Sequence, residues 1–205
     1  VTRPSSPDAP SGRTSAARPL LTWAVLGVTA VTTAAGLLVP GFAHALVRTD
    51  GFFHGEWWRL ITPILVNPEG PHQIIFNGAM LLLAGVTAER VFGRARWTAL
   101  YLAGGLAGNA WSYVFDHHSA GSSVAVAGLA GGLAAWALSG RAGLPVPPRI
   151  AAGALLVGGA ALAALGDNHG APLLAGALLG TVFLRTTRDV PSLADVRPGR
   201  PARTP

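Results

Sequence analysis

GSSVAVAGLAGGLAAWAL (Gly121–Leu138) carries polar side chains only at Ser122 and Ser123. A helix that lays one face on a soluble core keeps a polar stripe on the other. This segment has no such stripe, so it reads as a helix surrounded by apolar material, either lipid or other helices. Five more apolar segments flank it. The six are Leu20–Val39, Gln73–Ala88, Trp97–Phe115, Ser122–Leu138, Ile150–Gly166 and Ala171–Leu184. A helix crossing a bilayer needs about 20 residues, within a range of roughly 17–25. The first and third meet that outright, and the shorter ones suit helices packed inside a bundle. The expected fold is an all-α membrane protein, a bundle of six transmembrane helices over residues 20–184. Residues 1–19 and 185–205, rich in Pro, Ser, Arg and Asp, read as disordered tails.

Composition agrees with this reading. Of 205 residues, 50% are hydrophobic and 12% charged, about half the charge of a soluble domain. Mean hydropathy is +0.44. No cysteine is present, which excludes a disulfide framework, a thiolate metal site and a cysteine nucleophile. The net charge of +6 comes with no lysine, since all 15 basic residues are arginine. Their placement points to membrane topology rather than to nucleic acid. Arg3, Arg13 and Arg18, then Arg90, Arg94 and Arg96, then Arg141 and Arg149, then Arg185, Arg188, Arg197, Arg200 and Arg203 alternate to one side of six spans. Arg48 and Arg59 fall on the other. A split of 13 to 2 predicts that both termini lie in the cytoplasm of a plasma membrane, in all expectation a bacterial one.

With that orientation the unusual polar groups collect at the outer ends of the spans. His72, Gln73 and Asn77 open span two, and Asp116, His117 and His118 close span three. Ser122 and Ser123 open span four, and Asp167, Asn168 and His169 precede span six. Polar groups at membrane depth are costly and are functional candidates. A serine hydroxyl becomes a nucleophile when a base takes its proton, and histidine is the usual base. Ser123 and His169 fit those roles on the same side, with Asp167 placed to orient the imidazole. Gly121 allows a tight approach before the helix, and free N–H groups at the helix start offer a place for an oxyanion. Asn77 supplies a further donor, and Gln73, four residues earlier, shares its helix face. Simpler roles compete for each residue: an N-cap for Ser122 or Ser123, a solvent-facing loop for His169, an interhelical hydrogen bond for Asn77. Asp116, His117 and His118 lack further ligands at metal spacing, so no metal and no cofactor is expected. The glycines of spans three, four and six, with Gly176-x-x-x-Gly180 on one face, read as sites of close helix packing.

Together these segments resemble the rhomboid family of intramembrane serine proteases, from about Gly55 to Leu184. GEWWRLITPILV (Gly55–Val66) is similar to the family's Trp-Arg loop, and HQIIFNGAMLLLAGVTAERVFGR (His72–Arg94) to its second span. YLAGGLAGNAWS (Tyr101–Ser112) resembles its third span, GSSVAVAGLAGG (Gly121–Gly132) its Gly-x-Ser span, and LLAGALLG (Leu173–Gly180) its sixth. The resemblance implies a Ser–His dyad that cleaves transmembrane protein substrates near the outer face, within the lipid bilayer. It makes Ser123 the nucleophile, Asn77 the oxyanion donor and Gly121 the glycine two before the serine.

Three positions depart from the family pattern. Val124 stands where a glycine follows the nucleophile. Gln73 stands where the family has His, with His72 displaced by one residue, a rotation of 100° on a helix. Leu173 stands at the family's catalytic His, four residues after His169. The expected activity is therefore intramembrane serine proteolysis by Ser123 and His169. The alternative is a non-proteolytic relative that binds membrane segments, and a small six-span transporter is a more distant third reading.

Overall fold

The computed structural model describes residues 18–115, 118–187 and 190–196. Every regular element among them is helical. In chain order they are α1 (Leu20–Leu38), α2 (Phe42–Leu46), α3 (Pro71–Met80), α4 (Val86–Phe115), α5 (Ser123–Leu138), α6 (Val146–Ala164), α7 (Gly170–Thr186) and α8 (Leu193–Val196). Short 3-10 turns fill the connection between α2 and α3, and a π turn, Leu81–Gly85, joins α3 to α4. Each of the six expected apolar segments is helical, with ends shifted by a few residues. The fifth begins four residues early at Val146, where Pro147 and Pro148 occupy first-turn positions that need no backbone N–H.

Gly93 breaks α4. Its φ of 75° and ψ of 169° lie outside the helical region and reverse the chain, which a residue with a Cβ tolerates poorly. The reversal is locked by Trp97, which is buried and donates its indole N–H to the Gly85 carbonyl at 2.9 Å. The run from Pro71 to Phe115 is thus a helical hairpin whose arms are the second and third apolar segments. Leu20–Leu38, Pro71–Phe115 and Val146–Ala164 are long and apolar enough to cross a membrane, and Ser123–Leu138 and Gly170–Thr186 are shorter apolar helices.

The second arm of α4 packs on α5, and α5 on α7, through glycine. A Cβ on Gly104 would sit 2.6 Å from the Gly128 Cα. A methyl on Gly176 would overlap the Gly128 carbonyl, and one on Gly131 the Leu173 carbonyl. Backbones in contact gain dispersion along their whole length, which is what joins helices when lipid removes the hydrophobic drive. α1 is tied on differently. Its N-cap residue, Pro19, offers no side-chain cap, so Glu89 from the hairpin turn supplies one. The Glu89 carboxylate is buried and accepts from the Leu21 N–H at 3.0 Å, the Thr22 N–H at 2.8 Å and the Thr22 hydroxyl at 2.8 Å. An anion on these free N–H groups also meets the positive end of the helix dipole.

The connection from α2 to α3 is held by polar contacts. Arg59 donates to the His44 and Val47 carbonyls at 2.7 and 2.6 Å and pairs with Glu56. Arg48 donates to Asn109 Oδ1 at 2.7 Å, and Asn109 donates to the Leu60 carbonyl at 2.9 Å. Both arginines are buried, so the two that break the charge asymmetry serve as internal struts. Arg3, Arg13, Arg188, Arg197, Arg200 and Arg203 lie outside the described residues. In the stretch after α7, Val190 and Leu193 pack on the core, and the Pro191 carbonyl accepts the Trp136 indole N–H at 3.1 Å.

Candidate active site

α5 starts at Ser123, with Ser122 as its N-cap residue and no side-chain cap. The hydroxyl at position 123 is therefore free of capping duty, contrary to the simplest role for a serine there. α7 starts at Gly170 with His169 as its N-cap residue. The His169 Nε2 lies 2.9 Å from the Ser123 Oγ. On the other side of the ring, Nδ1 lies 3.0 Å from the Asp167 Oδ1, which also accepts the His169 backbone N–H at 2.8 Å. An ionised carboxylate can only accept, so the tautomer of the neutral ring that fits this contact has its proton on Nδ1 and its Nε2 lone pair toward the serine.

His169 reaches Ser123 from one turn before the family's histidine position. Pro172 falls in the first turn of α7, where its missing N–H is harmless. His169 keeps near-helical backbone angles and its carbonyl accepts the Leu173 N–H at 3.3 Å, so it stands one turn above Leu173 with its ring turned to Ser123. Leu173, at the family's histidine position, is buried, and its side chain fills the space a Cβ on Gly159 would need. Val124, in the place of the family's glycine, is also buried, against Gly108 of α4. The missing small residue on α5 is matched by one on its neighbour.

Gly121 has φ 156°, and a Cβ there would lie 2.9 Å from the Gln73 Nε2 and 3.5 Å from the Asn77 Nδ2. Both amides thus converge on the chain just before the serine. Gln73 donates to the Ala120 carbonyl at 2.8 Å and accepts the Glu69 N–H at 3.0 Å. Asn77 is buried and donates to the Asn67 Oδ1 at 2.7 Å. An amide nitrogen has two hydrogens, so each side chain keeps one to offer. Asn67 escaped the sequence reading. It is buried and takes the Ser122 N–H at 3.2 Å as well as Asn77. Its sequence signal was weak, an Asn-Pro pair that looks like an ordinary turn.

His72 is not brought to the site. It is exposed on α3, as its one-residue displacement from Gln73 dictates. Asp116 and His117 lie outside the described residues, and among those described no three His, Asp or Glu gather as a ligand set. Below Ser123 and His169 a cavity of about 400 Å³ runs between α3, α5 and α6, lined by Phe76, Met80, Val126, Ala127, Leu155 and Gly158 among others. It is an apolar groove with the serine, the histidine and Asn77 at one end.

Comparison with known proteins now assigns the family. The family model for the Rhomboid domain matches residues 54–188, more than half of the chain. The chain belongs to the rhomboid family. Over 88 residues it is 43% identical to rhomboid protease GluP of Bacillus subtilis, covering 42% of this chain and 17% of that protein. Over 84 residues it is 40% identical to the putative rhomboid protease YdcA of the same species, covering 40% of this chain and 42% of that one. RHOMBOID-like protein 9, chloroplastic, of Arabidopsis thaliana is 32% identical over 79 residues, or 38% of this chain and 18% of that protein. The matched stretch is less than half the length of each of these relatives. Rhomboid membership and the apolar helices make this an integral membrane protein.

Proposed function

We propose that this rhomboid is an intramembrane serine protease, with Ser123 as nucleophile and His169 as general base. The observation that carries the reading is the 2.9 Å contact between Ser123 Oγ and His169 Nε2, within the 2.6–3.2 Å a proton transfer requires. Ser123 Oγ attacks the scissile carbonyl carbon as its proton passes to His169 Nε2. Asp167 holds the imidazole in the tautomer that accepts and stabilises the imidazolium. The carbonyl oxygen becomes an oxyanion and is met by the Ser123 N–H, which has no intrahelical acceptor, with the second amide hydrogens of Asn77 and Gln73 beside it. The imidazolium then protonates the leaving amine, and water attacking the acyl-serine in the reverse sense completes hydrolysis.

The substrate is a transmembrane protein segment. The apolar groove beneath the serine suits an extended apolar stretch, and the peptide bond must leave its helix to expose its carbonyl. Among the described residues Arg18, Arg90, Arg94, Arg96, Arg141, Arg149 and Arg185 lie at or beyond the helix ends remote from Ser123. The positive-inside tendency then puts both termini in the cytoplasm and the cleavage near the outer face. Reconstitution into liposomes with a single-span reporter tests this. Cleavage in the span, lost in Ser123→Ala, supports it. An intact reporter with folded protein favours the relative that binds membrane segments without cutting them.

A further inference from the structure

α6 meets its neighbours both near the site and toward the opposite end. Near the site, Gly170 of α7 lies against Ala163 and the Gly159 carbonyl. Toward the opposite end, Ala152 packs on Ala134 and Ala137 of α5. Between α6, the end of α5 and the far half of α7 lies a groove of about 450 Å³. Leu138, Leu156 and Leu178 form its apolar wall, with Arg141 and Arg185 at its rim. Leu178 is 70% exposed. Arg141 is fixed by one hydrogen bond from Nη1 to the Thr187 carbonyl at 2.6 Å, which leaves the rest of its guanidinium fork available. Arg185 is exposed and has no hydrogen bond or ion pair among the described residues. The described carboxylates at this end are already engaged: Glu89 by α1, and Asp195 by the Ser192 hydroxyl at 2.7 Å.

A groove with apolar walls and two guanidinium groups that pair with no carboxylate among the described residues complements one kind of molecule, an anion with a long apolar tail. We propose that this groove binds one anionic glycerophospholipid, its phosphate between Arg141 and Arg185 and an acyl chain against Leu178. Guanidinium matches two phosphate oxygens at once, and basic pockets between helices on the arginine-rich side are where anionic head groups settle. Arginines that serve only to orient the chain would not require a groove between them.

The test is native mass spectrometry of the purified full chain released from detergent, titrated separately with phosphatidylglycerol, phosphatidylcholine and inorganic phosphate. One phosphatidylglycerol is expected to be retained in preference to phosphatidylcholine. The double variant Arg141→Gln/Arg185→Gln should weaken it about 30-fold, while Arg94→Gln, beside Glu89 in the hairpin, leaves it unchanged. Leu178→Trp keeps both arginines and fills the groove, and should lose the lipid too. This second variant carries the test if the double variant fails to fold by circular dichroism. Equal retention of phosphatidylcholine, unchanged binding in either groove variant, or displacement of the lipid by an equal concentration of inorganic phosphate would overturn the proposal.

Discussion

Asn67 Oδ1 accepts the Asn77 side-chain N–H at 2.7 Å and the Ser122 backbone N–H at 3.2 Å. One buried carbonyl oxygen thereby fixes the amide of α3 relative to the first turn of α5, where the serine sits. An oxyanion donor is effective only if it is already aimed before charge develops, so in the proposed mechanism Asn67 would aim Asn77.

Removing the donor and removing its support should therefore differ. Asn77→Ala is expected to lower kcat by about 10²–10³ with a small change in KM. Asn67→Leu leaves the Ser122 N–H buried without an acceptor, at a cost of about 1–3 kcal/mol of stability. It also lowers kcat, because Asn77 is then free to turn away. Steady-state kinetics on a reporter substrate, paired with thermal unfolding in detergent, separate the two. A loss of stability in Asn67→Leu with kcat per folded molecule unchanged would show a packing role alone.

Asp167 and His169 are each more than two-fifths exposed, so water screens the contact between them. Asp167→Asn should lower kcat by about 10-fold, or about 1.4 kcal/mol. A buried triad aspartate is worth about 10⁴-fold. Asp167→Ala, which removes the Nδ1 acceptor as well as the charge, should lower kcat at least as much. Unchanged kcat in both variants would mean that the backbone turn alone holds the imidazole.

Gly158 lines the site cavity, and a Cβ there would meet nothing within 4 Å. Gly158→Leu is expected to fold normally, fill part of the groove and raise KM for a transmembrane substrate. Reaction of Ser123 with a small fluorophosphonate should remain near the parent rate. Equal loss of both reactions would place the damage at the serine rather than in the groove.

Gly176 and Gly27 make a matched pair for the packing argument. A side chain on Gly176 collides with the Gly128 carbonyl, whereas Gly27 in α1 has open space. Gly176→Ala should destabilise by about 1–3 kcal/mol, and Gly27→Ala should be neutral or stabilising by up to about 1 kcal/mol. Thermal unfolding of the two variants decides it. Equal stability would mean that α5 and α7 do not meet through these glycines.

Much of this architecture could be read from the residues. The helices follow from runs with no polar stripe, and the connection between the second and third from Arg90, Arg94 and Arg96, while the break at Gly93 came only with the structure. Two kinds of feature were not legible. The first is the compensation between elements: Val124 against Gly108 joins residues 16 apart on different helices, and no local pattern records it. The second is the polar support under the site. Asn67 sits in a loop whose sequence looks like a turn, and its importance lies in what it faces across space. His169 lies between these cases. The residues marked it as a candidate base, while its 2.9 Å approach to Ser123 depends on how α5 and α7 pack, which no local pattern records.

The central claim is that Ser123 is activated by His169. Labelling by a fluorophosphonate in detergent tests it most directly, comparing the parent chain with Ser123→Ala and His169→Ala, each confirmed folded by circular dichroism. The account predicts that the parent labels covalently at Ser123 and that both variants lose labelling. Labelling that survives Ser123→Ala, or that persists at the parent rate in His169→Ala, would contradict it.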